Sequence, residues 1–178
     1  MSAPVRVSVV GSSGSGKTTF AKKLSVRLGV PHVELDAIYH QANWTHLSDD
    51  EFRARVAVVV SDDAWVIDGN YGAVRPLVLE RATDVVWLDY SRFVVMSRVI
   101  RRSASRAFVN RELWNGNKES VRNWVDPEHP IRWAWSQFDR KRVEYEARFN
   151  APEYAQIRVA RLRSPHEADA WLAHASAT

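Results

Sequence analysis

The chain has 178 residues, a formal net charge of +4 from 25 Lys and Arg against 21 Asp and Glu, and no cysteine. That length suits one domain spanning residues 1–178, with room for a sizeable core. The missing cysteines exclude disulfides and thiolate metal sites and fit a reducing compartment, with the cytoplasm as the expected location. No run of about 18 apolar residues offers a membrane span, and Met1-Ser2-Ala3-Pro4 has no signal-peptide apolar segment.

The first predicted element is a strand, Val5 to Val10. A glycine-rich turn follows it, and then a helix from Thr19 to Leu28 with Phe20, Leu24 and Leu28 on one stripe, closed by Gly29. A short strand covers His32 to Leu35. Ser48-Asp49-Asp50-Glu51 reads as a capping box and opens a helix that buries Phe52, Val56, Val59 and Val60. Trp65 to Asp68 is a third strand, Leu77 to Arg81 a short helix, and Asp84 to Asp89 a fourth strand. A helix runs from Arg92 to Ser105.

Residues 107–130 are irregular, with Asn115-Gly116 as a turn and Pro127 and Pro130 as breakers. Their length predicts a lid. Ile131, Trp135, Phe138, Tyr145 and Phe149 mark a long helix. Arg142 interrupts that stripe, either snorkelling or turning its charge to the site. Ile157 to Leu162 is a fifth strand. Ser164-Pro165-His166-Glu167 reads as a second capping box, opening a last helix through Trp171 and Leu172. Strands alternating with helices predict an α/β fold with a mostly parallel sheet.

The most informative segment is Gly11-Ser12-Ser13-Gly14-Ser15-Gly16-Lys17-Thr18. Lying between a strand and a helix, it has the pattern and context of a phosphate-binding loop. Its glycines let backbone N–H groups point inward, and the helix N-terminus adds partial positive charge. Gly11, Ser12, Gly14, Ser15, Gly16, Lys17, Thr18 and Thr19 are the expected nucleotide contacts. Lys17 is expected on the β- and γ-phosphates and Thr18 on Mg²⁺.

Ligands of open α/β sheets sit beyond the C-terminal strand ends, so residues that follow strands two and three should converge there. Asp36 follows strand two and Asp68 ends strand three. Asp68 is expected in the metal shell, or else as part of a turn. Asp36 is expected to orient or deprotonate an acceptor hydroxyl, or else to cap the following helix. Asp89 reads as a helix cap ahead of Ser91.

Arg98, Arg101, Arg102 and Arg106 recur on a helix, where at most two or three can face one site; Arg98 and Arg102 are the candidates for stabilising a transferring phosphoryl group. Arg111, Lys118 and Arg122 are weaker lid candidates. Tyr39, His40, Trp44 and Tyr71 flank the carboxylates and either face a flat acceptor or pack the core. Eight tryptophans are present. Of these, Trp87, Trp114, Trp124, Trp133 and Trp135 fall in one stretch, where Trp114 and Trp124 suit a pocket cap or lid.

With these motifs in order across nearly the whole chain, the sequence resembles the adenylate kinase-like branch of P-loop kinases, which includes nucleoside, nucleotide, shikimate and gluconate kinases. Leu35-Asp36-Ala37-Ile38-Tyr39, Trp65 to Tyr71 and Val86 to Asp89 look more narrowly like bacterial proteins labelled "topology modulation protein" or adenylate kinase-like. The resemblance implies a three-layer fold with a five-stranded parallel sheet in order 2-3-1-4-5, and ATP and Mg²⁺ as cofactors. It places the turn at Arg163 near the adenine. Glu34 and Asp36 match the acidic pair of shikimate kinases, and Asp68-Gly69 the Asp-Gly of adenylate kinases. Asn70-Tyr71 stands where adenylate kinases have Phe-Pro, with Arg75 the nearest arginine, and their Thr-Gly-Asp-x-x-Arg signature is absent. That points away from AMP as the acceptor.

The expectation is phosphoryl transfer from ATP to a small hydroxyl- or phosphate-bearing acceptor bordered by Asp36, Tyr39, Trp44, Asn70, Tyr71 and Arg75. The protein is expected to be a monomer or homodimer with no membrane partner. The alternative is a nucleotide-dependent switch that binds nucleic acid or a protein through the basic, Trp-rich 92–135 region.

Overall fold

A computed structural model describes residues 4–42, 45–109 and 130–176, with side chains up to 102 and from 135 onward. Five strands, β1 (Val5–Gly11), β2 (His32–Glu34), β3 (Ala64–Asp68), β4 (Asp84–Leu88) and β5 (Arg158–Leu162), form one sheet in the order β2-β3-β1-β4-β5. Every neighbouring pair is parallel. Parallel neighbours need crossovers, and among the described residues six helices lie in them: α1 (Lys17–Leu28), α2 (Leu35–Tyr39), α3 (Asp49–Ser61), α4 (Arg75–Arg81), α5 (Arg92–Val109) and α6 (Pro130–Phe149), while α7 (Pro165–His174) follows the last strand.

The three central strands, β1, β3 and β4, are buried along most of their length because helices cover both faces of the sheet. On one face Val7, Val9, Val66 and Val86 pack with Phe20 and Leu24 of α1, Val95 and Val99 of α5 and Ala168 of α7. On the other, Trp65 and Ile67 pack with Phe52 and Val56 of α3 and Val78 of α4. Helix α6 belongs to both. Its Phe138 lies in the first cluster, whereas Tyr145 joins Val10, Leu79 and Trp87 on the opposite face. The helix therefore crosses the sheet at the C-terminal ends of the strands.

Several local expectations shift. Strand β2 stops at Glu34, and Leu35 turns inward to open α2. Helix α5 continues to Val109 and α6 begins at Pro130, a position where proline costs nothing because the first helical N–H has no partner. Ser48 and Glu51 form the full capping box. The second box is only half made: Ser164 Oγ accepts from the Glu167 N–H at 3.1 Å, but the Glu167 carboxylate takes the Arg163 N–H instead.

Asp89 does not cap α5. Ser91 Oγ accepts from the Val94 N–H, while Asp89, 6% exposed, accepts from Arg161 at 2.8 Å and Arg142 at 3.1 Å. Two guanidiniums from β5 and α6 outcompete one backbone N–H for a buried carboxylate. Arg142 thus neither snorkels nor faces the phosphate loop.

The lid expected at 107–130 falls, between 110 and 129, outside the described residues. So do Asn115-Gly116, Pro127, Arg111, Lys118, Arg122, Trp44, Trp114 and Trp124, and the side chains of Arg106 and Trp133. Among the described residues no helix is long and apolar enough to cross a membrane.

Phe52 has no exposed surface and supports two rings at the sheet edge, Tyr39 at 5.1 Å and Tyr71 at 5.2 Å between centroids. Replacing Phe52 with Ala is expected to cost about 3–5 kcal/mol. Urea unfolding should show a lower midpoint with an unchanged slope; an unaltered midpoint would mean that this core does not hold the acceptor edge.

Candidate active site

The turn from β1 into α1 is held in a shape that few side chains allow. Gly14 has φ +86° and Gly16 has φ +89°. A Cβ on Gly14 would collide with Val99 of α5 and come within 3.0 Å of the Val95 carbonyl; one on Gly16 would lie 3.1 Å from Arg98 Nη1. Helix α5 is thus pressed onto the loop with no room for a methyl group. Within the turn, the Ser12 carbonyl accepts from the Ser15 N–H and from Lys17 Nζ, both at 3.1 Å. Arg98 Nη1 donates to the Ser15 carbonyl at 2.8 Å, and Arg102 Nη2 reaches Ser13 Oγ at 3.4 Å. The first is a charge-assisted bond of a kind worth about 1.5–3 kcal/mol. Arg101 points away and is exposed. The guanidinium of Arg98 also lies 5.2 Å from the Tyr90 ring centre.

Above the loop opens a cleft of about 1220 Å³. Gly11, Gly14, Ser15, Gly16, Lys17, Thr18 and Thr19 line its floor, and Asp36, Asp68, Asn70 and Tyr71 line one wall. Arg98 and Arg102 of α5 line it beside the loop, and Lys141 and Tyr145 line it from α6. Burial pushes the Lys17 ammonium below the usual lysine range, against the pull of Asp36 and Asp68. Ser12 contributes its carbonyl to the loop rather than a side chain to the cleft.

Asp68 ends β3 at 2% exposure, with both oxygens engaged. Thr18 Oγ1 donates to Oδ2 at 2.6 Å, and His32 Nε2 lies 2.7 Å from Oδ1. Glu34, in register with Asp68 on β2, brings Oε1 to 3.4 Å from the same threonine hydroxyl. Hard oxygen donors beside a phosphate loop suit Mg²⁺, which is bound through one or two carboxylates together with substrate phosphates.

Asp36, in the first turn of α2, accepts from Tyr71 OH at 2.5 Å, and His40 Nε2 is 3.4 Å from the same hydroxyl. Burial first, then the Asp36 charge, drives the Tyr71 pKa far above its usual range, so Tyr71 stays a donor. Burial lowers His40, against the Asp36 charge, so its imidazole is largely neutral at pH 7. Tyr39 is set back in an aromatic cluster, stacked on His46 at 4.8 Å and packed against Phe52 and Tyr71. It supports the wall rather than lining the cleft.

Asn70 bridges three elements. Its amide donates to Tyr145 OH at 2.9 Å, its carbonyl accepts from Arg75 Nε at 2.7 Å, and Tyr145 OH reaches the Gly11 carbonyl at 3.4 Å. Arg163 is exposed beyond β5. That end of the cleft is lined by Pro165, Ala168 and Asp169.

Sequence reasoning missed His32, Lys141 and the polar role of Tyr145. A pairing argument along β2 and β3 was the available signal for His32. For Lys141 the signal was its position four residues before Tyr145, which places both on one helix face.

No protein-family model matches the chain, and no curated protein matches it in sequence. Solved structures do match. Shikimate kinase from Bacteroides thetaiotaomicron aligns over 95% of this chain and 94% of its own, with TM-score 0.54 and 16% identity. A gluconokinase from Sinorhizobium meliloti aligns over 97% and 94%, with TM-score 0.53 and 19% identity. At such identity the likeness is one of fold alone, and it extends over nearly the whole chain.

The contact between Gly14 and α5 can be tested by a double-mutant cycle. Gly14→Ala should destabilise by about 1–3 kcal/mol through strain and collision. Val99→Ala should relieve the collision, so the double mutant should lose less than the sum of the singles. Strict additivity in chemical denaturation would show that the two residues do not touch.

Proposed function

We propose that this protein transfers the γ-phosphoryl group of ATP to a small hydroxyl- or phosphate-bearing acceptor. The observation that carries the reading is the placement of Asp36 and Asp68 on one wall of the cleft whose floor is the phosphate loop and Lys17. A phosphate-binding loop alone fits any nucleotide-binding protein. A second carboxylate, held by Tyr71 and facing Lys17, is what an acceptor hydroxyl requires.

In this reading Gly11 to Thr19 hold the triphosphate through backbone N–H groups and the start of α1. Lys17 neutralises the β- and γ-phosphates. Thr18 and Asp68 would hold the Mg²⁺ that accompanies the nucleotide, with Glu34 and His32 behind them; bound there, it would supply positive charge against the phosphates. Asp36 accepts the acceptor's hydroxyl proton or its hydrogen bond, and Tyr71 keeps its carboxylate aimed. Arg98 and Arg102 sit at the loop edge, where charge builds on the transferring group. Asn70, Tyr71 and Arg75 border the acceptor. Arg163 lies toward the base. The full-length structural likeness to shikimate kinase and a gluconokinase supports a small-molecule acceptor.

Lys17→Ala is expected to lower ATP turnover by about 10²–10³-fold in a folded protein. Asp36→Asn should lower transfer by about 10²-fold or more, while ATP affinity stays within about twofold. Acceptor-dependent ADP release and calorimetric ATP binding measure the two quantities separately. Unchanged turnover in Lys17→Ala would overturn the site, and equal losses of transfer and binding in Asp36→Asn would make Asp36 structural.

A further inference from the structure

Thr18 stands between two carboxylates and has one hydroxyl proton to give. Asp68 Oδ2 takes it at 2.6 Å, and Glu34 Oε1 lies farther off at 3.4 Å. The two acids face one another in register on β3 and β2. A hydroxyl has one donor and two acceptor lone pairs. Which acid receives the proton therefore decides where the lone pairs point. With the proton spent on Asp68, the threonine oxygen meets any further partner as an acceptor, and a cation is such a partner.

The choice between the two acids is made at the other oxygen of Asp68. His32 Nε2 lies 2.7 Å from Oδ1. A carboxylate only accepts, so the ring donates from Nε2. The two side chains are 13% and 3% exposed, which leaves water little access to the bond. The terminal torsion of an aspartate is broad, and one hydrogen bond leaves it loose. A second bond on the opposite oxygen fixes it.

The short edge strand is built to deliver that bond. Side chains alternate along β2, so His32 and Glu34 share one face. Val33 lies on the other, packed beside Leu35 and Ile67. His32 pairs with Val66 and reaches Asp68 diagonally, one pair further along β3. The Val66 N–H donates to the Pro31 carbonyl at 2.8 Å and pins the backbone just before the histidine. His32 is not among the residues lining the cleft, so its influence on a bound nucleotide passes through Asp68.

We infer that His32 is a positioning residue. By donating to Asp68 Oδ1 it holds that carboxylate as the acceptor for Thr18, and so keeps the threonine oxygen ready for the Mg²⁺ that accompanies the nucleotide. This role presupposes the reading of Thr18 and Asp68 as the residues that hold the ion, and deepens it by naming what fixes their orientation. Hydrogen bonds to a carboxylate from behind a metal site typically change metal affinity by about 10–100-fold.

Three variants separate the donor from the ring. His32→Phe keeps a flat ring and loses the donor. His32→Gln places an amide N–H at about the reach of Nε2. His32→Asn keeps the amide on a shorter stem, and replaces the Phe variant if that one does not fold. Mg²⁺ is titrated calorimetrically into each protein saturated with a non-hydrolysable ATP analogue, and the analogue alone is titrated in EDTA. The Phe and Asn variants should bind Mg²⁺ about 10–100-fold more weakly than the wild type, and the Gln variant should recover most of that loss. Affinity for the analogue in EDTA should stay within about twofold in all three. Wild-type Mg²⁺ affinity in the Phe and Asn variants would overturn the inference. So would a Gln variant no better than Phe, or equal losses with and without the metal. Acceptor-dependent ADP release by the wild type reports separately on phosphoryl transfer. Transfer together with a Mg²⁺ affinity indifferent to His32 would overturn the inference and keep the kinase reading. A Mg²⁺ affinity that needs His32, without transfer to any acceptor, would do the reverse.

Discussion

The structure depends on one tight contact: the turn between β1 and α1 wedged beneath α5. Glycine at 14 lets the backbone take a left-handed turn and lets Val95 and Val99 approach to within a methyl group's space. Arg98 then ties the Ser15 carbonyl to α5 from the side. A loop that must present several N–H groups to a polyphosphate cannot fold onto its own side chains, so its rigidity has to come from a neighbour. Here the neighbour is a helix whose Arg102, one turn beyond Arg98, also reaches the loop. Fold stability and nucleotide cradle share the same packing.

Charge is sorted around that turn. Acidic groups come from the ends of β2 and β3 and the first turn of α2. Basic groups come from α1, α5 and α6. Three of the carboxylates have definite partners: the buried Asp68 has Thr18 and His32, the half-buried Asp36 has Tyr71, and the buried Asp89 has Arg142 and Arg161. The last of these lies outside the cleft, but it fixes α6 where the helix crosses the sheet. Through Tyr145 and Asn70, α6 connects α4 to the phosphate loop in one hydrogen-bonded chain. A structural ion pair on one side of α6 therefore positions polar groups on its other side.

Much of this was legible in the sequence where the information is local. The phosphate loop, its strand and its helix occupy consecutive residues, and the Ser48 box is a four-residue pattern. Asp68 was readable because it ends an apolar strand next to the loop, and the sheet order followed from the family resemblance. Legibility failed where three dimensions decide. Asp89 and Ser91 form a plausible local cap, but Arg161 lies on a neighbouring strand far away in sequence and wins the carboxylate. In the sequence Lys141 is one charge among several on a long helix, beside Arg140, Arg142 and Glu144. Only the passage of α6 over the strand ends turns it toward Lys17. Tyr39 was an even choice between acceptor and core; its packing on His46 and Phe52 puts it behind the wall.

The central claim is that this cleft passes a phosphoryl group to a second molecule rather than to water. Phosphorus NMR of Mg–ATP with the protein and a pool of hydroxylated and phosphorylated small molecules follows that group directly. The account predicts a new phosphoester or phosphoanhydride resonance that grows as ADP appears. Inorganic phosphate as the sole product, or ATP left intact across the whole pool, would contradict it.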